Sequence, residues 1–308
     1  MQLIRGAVPR AFVVLGPWSW FLLRDSWVGM ELVAVLLPLF VAVAIALFLA
    51  LADRHHWLRL AALSLIMFGV VAVVGPWVPH DTGHPADGSV TVAVANTLTT
   101  NTRPDDVVAD IVAQHANVVV VPEASVAVHQ RLVREFKYSL RADTPYPSAI
   151  GVYSNIPIHA PTFVPGLLDQ RSQIRVEVDG RFVLWAVHLP KPWLVAHDEY
   201  ELRPGAHARK IDAFLEAFSK ETMPLVVAGD INLTDRGRGY RKLTDRFDDA
   251  LRGRWGGPTA RKWYLRPLLL RIDHVFEPKG WCADQGGRFA LTGSDHRGVR
   301  VRVGPCAS

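Results

Sequence analysis

The hydrophobic pattern divides the chain into two parts. Residues 32–52 and 60–79 contain no charged side chain, and each stretch is long enough to cross a bilayer core of about 30 Å as a helix. Neither has a polar face to turn toward water, and buried helices of a soluble core are the alternative. Two stretches of this length do not fit a cleaved signal peptide. The pattern predicts a membrane anchor within residues 1–80 and a linker at 81–89.

The number of spans depends on residues 11–23, a shorter uncharged stretch that is rich in Trp. If it crosses the membrane there are three spans, which we favour, and if it lies in the interface there are two. Lys and Arg near the ends of spans are retained on the cytoplasmic side. The connection between the long stretches carries Arg54 and Arg59, whereas residues 80–102 carry neither Lys nor Arg. The pattern predicts a multi-pass protein of the cell membrane whose C-terminal domain lies outside the cytoplasm.

Beyond the linker, short β-rich runs alternate with stretches of helical spacing. Strands are predicted at 90–95, 118–121, 149–153, 174–178, 182–187, 225–228, 272–276 and 299–303. Helices are predicted at 104–115, 126–136 and 206–220. Polar residues alternate with apolar ones in several runs, which favours antiparallel pairs. Residues 90–308 are therefore predicted to form one α/β domain in which strands outnumber helices.

Composition supports a folded chain and adds a question about the cysteines. Half of the 308 residues are hydrophobic and the mean hydropathy is positive, which excludes disordered and collagen-like proteins. The two cysteines, Cys282 and Cys306, both lie near the end of the second part. In a reducing compartment they would be inert thiols, and in an exported domain they would form a disulfide. We hypothesise the disulfide and keep the free thiols as the alternative.

A strongly basic block covers residues 236–271. It contains 11 Lys or Arg against three Asp, and aromatic residues are interleaved with them. Such a mixture could hold a nucleic-acid backbone with stacked bases, lie on anionic headgroups, or form a solvated face. The block belongs to a domain that is tethered about ten residues from the predicted bilayer. Of the possible partners, anionic headgroups are therefore the nearest to it.

Polar residues follow or precede several predicted strands, where a sandwich presents side chains to a common cleft. Asn96, Glu123 and His188 each follow an apolar run. Three further clusters have the same placement: GDIN at 229–232, RIDHVF at 271–276 and SDHRGV at 294–299. Six polar clusters at strand ends of one domain predict a single functional site.

In this order the motifs resemble the endonuclease/exonuclease/phosphatase superfamily, the fold of pancreatic-type deoxyribonuclease, over about residues 90–303. The resemblance implies a four-layered α/β sandwich, in which two packed, mainly antiparallel mixed sheets are flanked by helices. With N-terminal transmembrane helices before it, the chain looks like a membrane-anchored bacterial member. Two departures concern the metal environment. The second amide of the usual Asn-x-Asn pattern is missing unless Asn101 substitutes, and Val-Pro-Glu replaces Leu-Gln-Glu before Glu123.

The resemblance implies a metal ion held by Glu123 with help from the amide of Asn96. Mg²⁺ is the expected ion and Mn²⁺ the alternative, because a hard cation prefers oxygen ligands and keeps several waters. Asp295 is expected to bind a second metal ion or to orient His296.

The resemblance also implies the catalytic roles. Asp230 is expected to orient or deprotonate the attacking water, and Asn232 to donate to a phosphoryl oxygen, since only the amide donates at neutral pH. His296 is expected to pair with Asp273, which fixes its tautomer and raises its pKa. His188 is expected to contact the phosphate from the other side, and Arg271 to bind substrate.

These expectations together predict a membrane-anchored, Mg²⁺-dependent phosphoric ester hydrolase. Its substrate would be a phosphate ester or pyrophosphate, with a cell-envelope lipid as the favoured class. A membrane-tethered extracytoplasmic endonuclease or exonuclease is the alternative, which would make nucleic acid the partner. A catalytically silent membrane scaffold is the third hypothesis. No obligate protein partner is indicated.

Overall fold

The computed structural model of the chain describes residues 10–51, 56–142, 149–164, 173–189, 191, 204–254 and 256–307. Arg54, used above to predict orientation, lies outside the described residues. The described part consists of apolar helices at the N-terminus and an α/β sandwich that follows them.

Three apolar helices come first: α1 (Arg10–Leu23), α2 (Met30–Leu51) and α3 (His56–Gly69), whose helical path continues to Trp77. By length and composition, α2 and the extended α3 are able to cross a membrane, and α1 is shorter. Within this group, Trp18 Nε1 donates to Ser64 Oγ at 3.0 Å, and the Trp18 ring contacts Phe68 edge-on. Many of the large apolar side chains of these helices face outward and are exposed. Such a surface is typical of helices that lie in lipid.

The sandwich contains two six-stranded sheets. The first has the order β11-β12-β1-β2-β4-β3, with β1 (Val90–Val94), β2 (Val118–Val121), β3 (Tyr138–Ala142), β4 (Ile150–Ser154), β11 (Trp281–Ala290) and β12 (Arg297–Pro305). The second has the order β5-β6-β7-β8-β10-β9, with β5 (Ile158–Val164), β6 (Gln173–Val178), β7 (Phe182–His188), β8 (Leu225–Asp230), β9 (Phe247–Asp249) and β10 (Asp273–Pro278). The pairs β1–β2 and β7–β8 are parallel, and the remaining pairs are antiparallel.

Helices cover the outer face of each sheet. Helices α4 (Pro104–Val112) and α5 (Val126–Glu135) pack on the first sheet, and α6 (Pro204–Phe218) and α7 (Arg238–Thr244) pack on the second. The result is four layers, helix, sheet, sheet and helix, which confirms the predicted fold class.

All eight predicted strands and all three predicted helices of the sandwich form, with ends that shift by no more than three residues. The strands β3, β5, β9 and β11 and the helix α7 were not predicted. All four strands lie at the edges of their sheets, where a strand has a neighbour on one side only and does not require a continuous apolar pattern. Strand β5 is largely exposed, and β11 is interrupted by a bulge between Asp284 and Gly287.

The main core lies between the two sheets. Along each central strand, alternate residues point into it, as Val92 and Val94 do in β1 and Val226 and Ala228 do in β8. The opposite faces of these strands pack on the covering helices. This alternation decides which side chains meet where the strands end.

Cys282 and Cys306 are joined by a disulfide, with their Cα atoms 4.8 Å apart. The bond connects β11 to the residue after β12, and these strands are already paired in the first sheet. The disulfide hypothesis is therefore confirmed.

The beginning of α2 packs directly against the sandwich. Glu31 accepts a hydrogen bond from the backbone nitrogen of Gly239 at 3.1 Å, and Val35 packs among the apolar residues that precede β10. The buried guanidinium of Arg236 donates to the carbonyl oxygens of Ala34, Leu268 and Leu269 at 3.1, 2.9 and 3.3 Å. Hydrogen bonds and apolar packing thus hold helix α2 against the sandwich.

Candidate active site

The predicted site residues meet at one end of the sandwich, where β1, β2, β7 and β8 end and β10 and β12 begin. We call this the site end. His188, Asp230 and Asp273 occupy adjacent register positions on β7, β8 and β10. All three continue the inner-face rows of the core, so the row of apolar side chains changes to polar ones at its last position. Alternation along the strands explains why these side chains converge.

Gly229 allows β8 to approach β7 closely just before Asp230. Its φ of +153° is unfavourable for other residues, and a Cβ there would collide with the carbonyl oxygen of Val187. The glycine of the GDIN motif therefore has a structural purpose, because it permits the backbone approach that aligns His188 with Asp230.

Asn96 and Glu123 extend from the first sheet toward the second. The Asn96 amide donates to Asp230 Oδ2 at 2.9 Å and lies 3.3 Å from Glu123 Oε1. Glu123 Oε2 accepts from the backbone nitrogen of Thr99 at 3.1 Å. The Glu123 side chain is 19% exposed, while Asn96 and Asp230 are fully buried. The two sheets are thereby connected across the core by a carboxylate–amide–carboxylate series.

Asp230 lies at the centre of the cluster. Its Oδ2 is 3.7 Å from His188 Nε2 and 3.8 Å from His296 Nε2, and its Oδ1 accepts from the backbone nitrogen of Asn232 at 3.1 Å. Burial raises the pKa of Asp230 above its usual range, although the nearby charge of His296 opposes that shift. A buried carboxylate of this kind can exchange a proton near neutral pH or accept a cation.

His296 lies between two acidic groups. Its Nδ1 is 2.9 Å from Asp273 Oδ2, and Asp230 is on the side of its Nε2. Burial alone would lower the pKa of His296, but Asp273 and Asp230 outweigh it and raise the pKa above its usual value. The imidazole is therefore held as a cation in the position expected from the sequence.

Asn232 is present in the cluster, but its amide is oriented differently from the expectation. It is buried with a φ of +53°, and its Nδ2 donates to the carbonyl oxygen of Leu189 at 2.7 Å. Among the described residues, its Oδ1 has no hydrogen-bond partner. The amide connects the turn after β8 to the residue after β7, and its predicted donation to a phosphoryl oxygen stays a prediction.

Asp295 lies at the rim of the cluster, with its side chain 14% exposed. Its Oδ1 is 4.0 Å from His296 Nε2, and its Oδ2 is 3.2 Å from Lys262 Nζ. Burial would raise the pKa of Asp295, but His296 and Lys262 hold it below its usual value. The carboxylate is thus ionised beside His296, and Lys262 is a basic residue at the site that sequence reasoning did not identify.

Arg271 does not belong to this cluster, which corrects the expectation that it binds substrate. Its side chain is buried on the outer side of the second sheet and forms ion pairs with Asp235 and Asp249. The two carboxylates surround the guanidinium, so it is not available to a phosphate. Residue 271 precedes Asp273 by two positions, but the regular strand alternation begins only at Asp273.

A second acidic group, formed by Asp235, Asp249 and His274, lies around the same arginine. His274 follows Asp273 in β10 and points to the opposite face, as alternation predicts, where its Nε2 lies 3.0 Å from the carbonyl oxygen of Leu233. Because Arg271 already supplies the positive charge, this group is a structural ion-pair network.

Several supporting residues were missed by the sequence analysis. Thr259 Oγ1 accepts from the backbone nitrogens of Ile272 and Asp273, and Gln173 Oε1 accepts from that of His188. The only sequence signal for them is a polar residue within an apolar context. Asn101, the possible substitute for the missing amide, donates instead to the carbonyl oxygens of Thr97 and Thr292.

The residues of the cluster fit a hard divalent cation. Carboxylate oxygens from Glu123 and Asp230 lie on either side of the Asn96 amide nitrogen, and oxygen ligands of this kind suit Mg²⁺ and Mn²⁺. The Asn96 amide oxygen accepts instead from the backbone nitrogen of Leu98 at 3.1 Å, so its predicted role as a ligand stays a prediction. Among the described residues, the buried Oδ1 atoms of Asp273 and Asn232 also have no hydrogen-bond partner, so the cluster has more acceptors than donors. Asp230, Asp273 and His296 each offer a ligand atom within 4.8 Å of the others. The hydrogen bond from His296 to Asp273 favours a proton-holding role for that pair.

Two six-stranded sheets with carboxylate, amide and imidazole groups at one shared end define an α/β-sandwich class of phosphoester hydrolases. The chain belongs to the Endonuclease/Exonuclease/phosphatase family, whose family model matches residues 92–296. A comparison with curated protein sequences gives no match.

Solved structures of this fold are similar to the chain at low sequence identity. The endonuclease/exonuclease/phosphatase from Beutenbergia cavernae is 18% identical with a TM-score of 0.56, covering 71% of this chain and 72% of that one. The 3'-5' exonuclease from Neisseria meningitidis is 16% identical with a TM-score of 0.53, covering 70% and 99%. An AP endonuclease from Archaeoglobus fulgidus is 16% identical with a TM-score of 0.52, covering 69% and 98%. These similarities support the fold.

Proposed function

We propose that this chain is a membrane-anchored, metal-dependent phosphoesterase that hydrolyses a phosphate ester or pyrophosphate of a membrane lipid. Residues 1–80 would form the anchor, 81–89 the linker and 90–308 the catalytic domain. Two helices with the length and composition of membrane spans support the anchor, and family membership supports the hydrolase activity.

One observation carries the choice of a lipid substrate: the site end of the sandwich is the end that contacts α2. The segment after Asn232 supplies Arg236 and Gly239, which bond to Ala34 and Glu31 of that helix. The segment before Asp273 packs around Val35 of the same helix. If α2 enters a bilayer, the catalytic residues lie at the level of the headgroups, where lipid phosphates are concentrated.

The chemistry requires a positioned water, compensation of charge on the phosphoryl oxygens and protonation of the departing oxygen. In this proposal Asp230 orients the water and removes its proton, because it is a buried carboxylate that two imidazoles surround. His296, kept as a cation by Asp273, stabilises the phosphoryl charge or protonates the departing oxygen. His188 contacts the phosphate from the second sheet, and Asn232 orients it.

Glu123 and Asn96 would hold the divalent cation, with Asp230 nearby and Asp295 as the candidate for a second ion. When bound, the cation supplies charge neutralisation for the phosphate and lowers the pKa of a coordinated water. Mg²⁺ is proposed, with Mn²⁺ as the alternative, because the charged candidate ligands Glu123, Asp230 and Asp295 are all carboxylates.

We propose that the catalytic domain faces the outside of the cytoplasm. Arg54 and Arg59, which lie between the two long uncharged stretches, and the absence of Lys and Arg at residues 80–102 support this orientation. The Cys282–Cys306 disulfide supports it independently, since disulfides persist in oxidising compartments. An activity reporter fused after residue 308 tests the orientation, and activity confined to the cytoplasm would contradict it.

A membrane-tethered nuclease is the second candidate. The exposed basic residues near Asp295 favour any substrate with a phosphate backbone, and two of the similar structures are described as an exonuclease and an AP endonuclease. The silent scaffold is less favoured, because the acidic, amide and imidazole groups that hydrolysis requires lie together in one cluster.

The test uses the full chain in phospholipid nanodiscs with Mg²⁺, Mn²⁺ or EDTA. A polyprenyl pyrophosphate, sphingomyelin, DNA and bis(p-nitrophenyl) phosphate are offered separately. Hydrolysis of a lipid that EDTA and Asp230→Asn both abolish supports the proposal, with Asp248→Asn as the matched surface control. Cleavage of DNA alone would favour the nuclease, and inactivity toward every compound would favour the scaffold.

A further inference from the structure

The basic block of residues 236–271 is divided by the fold into separate structural environments. Arg236 and Arg271 are buried, and Arg241 and Lys242 form ion pairs with Asp25 and Asp212. These four charges therefore hold the sandwich together or fix it to the N-terminal helices. The basic residues of the segment 261–266 are at the surface instead.

This segment, which we call the interfacial loop, has the sequence Arg-Lys-Trp-Tyr-Leu-Arg. Trp263 is 79% exposed and Tyr264 is 46% exposed, and their rings contact each other edge-on. Arg266 is also exposed, and its Nε donates to the carbonyl oxygen of Arg261. The large aromatic side chains are unusual here, because most exposed large apolar residues of the described chain belong to the N-terminal helices.

The interfacial loop lies between α2 and the site. On one side, Leu265 is buried in the same apolar cluster as Val35 of α2. On the other side, Lys262 Nζ is 3.2 Å from Asp295 Oδ2, and the backbone nitrogen of Arg261 donates to the carbonyl oxygen of Asp295 at 2.6 Å. The aromatic and basic side chains therefore stand beside the helix that we propose enters the bilayer and one residue from His296.

Two properties of the loop match the surface of an anionic bilayer. Trp and Tyr concentrate at the boundary between acyl chains and headgroups, because one part of each ring system is apolar and another forms hydrogen bonds. Lys and Arg near the membrane are attracted by anionic lipid headgroups. A solvated loop explains the charges, but it does not explain an exposed Trp next to a membrane-type helix.

We propose that the interfacial loop is a membrane-contact site, in which Trp263 and Tyr264 enter the headgroup layer and Arg261 and Arg266 contact anionic phospholipids. The occupant is the surface of the same bilayer that α2 crosses. The loop fixes the distance between the site end and the membrane, so that a headgroup phosphate reaches the cluster beside Asp295. This inference rests on the proposed membrane anchoring, and its test separates the two.

The experiment measures the depth of three labelled positions in the full chain. Among the described residues both cysteines are in the disulfide, so a single introduced cysteine carries the fluorophore. Trp263→Cys reports on the loop and Leu47→Cys on α2, while Lys279→Cys reports on the opposite end of the sandwich between β10 and β11. Nanodiscs contain nitroxide lipids labelled either near the headgroup or deep in the acyl chain, with phosphatidylcholine alone or mixed with phosphatidylglycerol.

The proposal expects quenching at 263 by the shallow nitroxide, at 47 by the deep one and at 279 by neither. The shallow nitroxide should also quench position 263 more strongly when phosphatidylglycerol is present. In Arg261→Gln/Arg266→Gln, phosphatidylglycerol should no longer increase the quenching. If 47 is quenched while 263 behaves like 279, the loop does not contact the membrane and the anchoring stands. If 47 is not quenched, the anchoring itself is wrong and the inference falls with it. Equal quenching at 263 in both lipid mixtures would overturn the contact with anionic lipid.

Discussion

His296 Nδ1 lies 2.9 Å from Asp273 Oδ2, although the two residues come from different sheets and are separated by 23 positions. Asp273 begins β10 in the second sheet, and His296 precedes β12 in the first. Both side chains are buried, so the pair connects the sheets at the level where the core becomes polar. The carboxylate therefore both fixes the ring orientation and keeps the imidazole protonated.

We predict that Asp273→Asn and His296→Gln each reduce the rate of phosphoester hydrolysis by roughly 100- to 10,000-fold. Asp273→Asn retains the shape of the side chain, His296→Gln replaces the ring by a neutral polar side chain, and each change removes one charge of the pair. Because the two residues act together, the double variant should be little worse than either single variant. Steady-state kinetics measure this, with Asp248→Asn at the surface as the control. Losses that multiply in the double variant would show that the residues act independently.

We predict that Glu123→Gln weakens the binding of the divalent cation and thereby lowers the activity. The Glu123 carboxylate is the most exposed of the candidate carboxylate ligands, and an amide cannot supply its negative charge. Activity should fall by roughly 100-fold or more, because the cation is expected to supply several kcal/mol of charge stabilisation. Calorimetric titration with Mg²⁺ should show weaker binding than in the wild type. Unchanged Mg²⁺ affinity would remove Glu123 from the metal site, and Glu216→Gln, an exposed change, serves as the control.

Much of the site could be predicted because strand periodicity is strict. A run such as Val92, Val94 and Asn96 places its last residue on the same face as the first two, and the same holds for Val226, Ala228 and Asp230. The sequence therefore shows both that these positions face the core and that the core ends there. The pairing of strands from different sheets is a long-range property, for which the motif order was the available indication.

The rest depended on contacts between distant segments. Arg271 is the first residue of the RIDHVF motif, and the resemblance implied that it binds substrate, but its partners Asp235 and Asp249 are brought to it only by the fold. The contact between α2 and Arg236 gives no pattern along the chain, since its acceptors are backbone carbonyl oxygens. Lys262 was one of 11 basic residues in a block, and only the fold distinguishes it from the others.

We predict that Arg236→Met destabilises the full chain and loosens α2 from the sandwich. The change removes three hydrogen bonds from a charged donor and leaves buried carbonyl oxygens unsatisfied, which corresponds to a loss of about 2–4 kcal/mol. Thermal unfolding in detergent should show a lower midpoint, and protease should cut between the helices and the sandwich more rapidly. Arg103→Met, which removes an exposed ion pair with Asp106, is the control and should change neither measurement. An unchanged midpoint in Arg236→Met would show that the contact contributes little.

We predict that Glu277→Gln stabilises the protein at alkaline pH and has little effect at acidic pH. Burial raises the pKa of Glu277 to about 8, and the neighbouring Asp248 and Asp249 act in the same direction. Between the ordinary pKa of 4.5 and about 8, the unfolded chain releases a proton that the folded chain retains, so wild-type stability falls as pH rises through this window. Glutamine removes the penalty, which should be about 4–5 kcal/mol above pH 8, because each pKa unit between 4.5 and about 8 corresponds to about 1.4 kcal/mol. Unfolding midpoints at pH 5 and pH 8.5 test this, and an equal effect at both would contradict it.

We predict that the disulfide contributes measurably to the stability of the sandwich. It closes a loop between residues 24 positions apart, and a cross-link of that length restricts the unfolded chain by about 2–4 kcal/mol. Reduction of the wild type, or Cys282→Ser/Cys306→Ser, should lower the free energy of unfolding by a similar amount and lower the unfolding midpoint. Because β11 and β12 stay paired along their length without the bond, the fold itself should persist. If protein from an oxidising compartment yields the same number of reactive thiols before and after reduction, the bond is absent there. The argument from the disulfide to an exported domain would then fail, while the orientation argued from Lys and Arg would still stand.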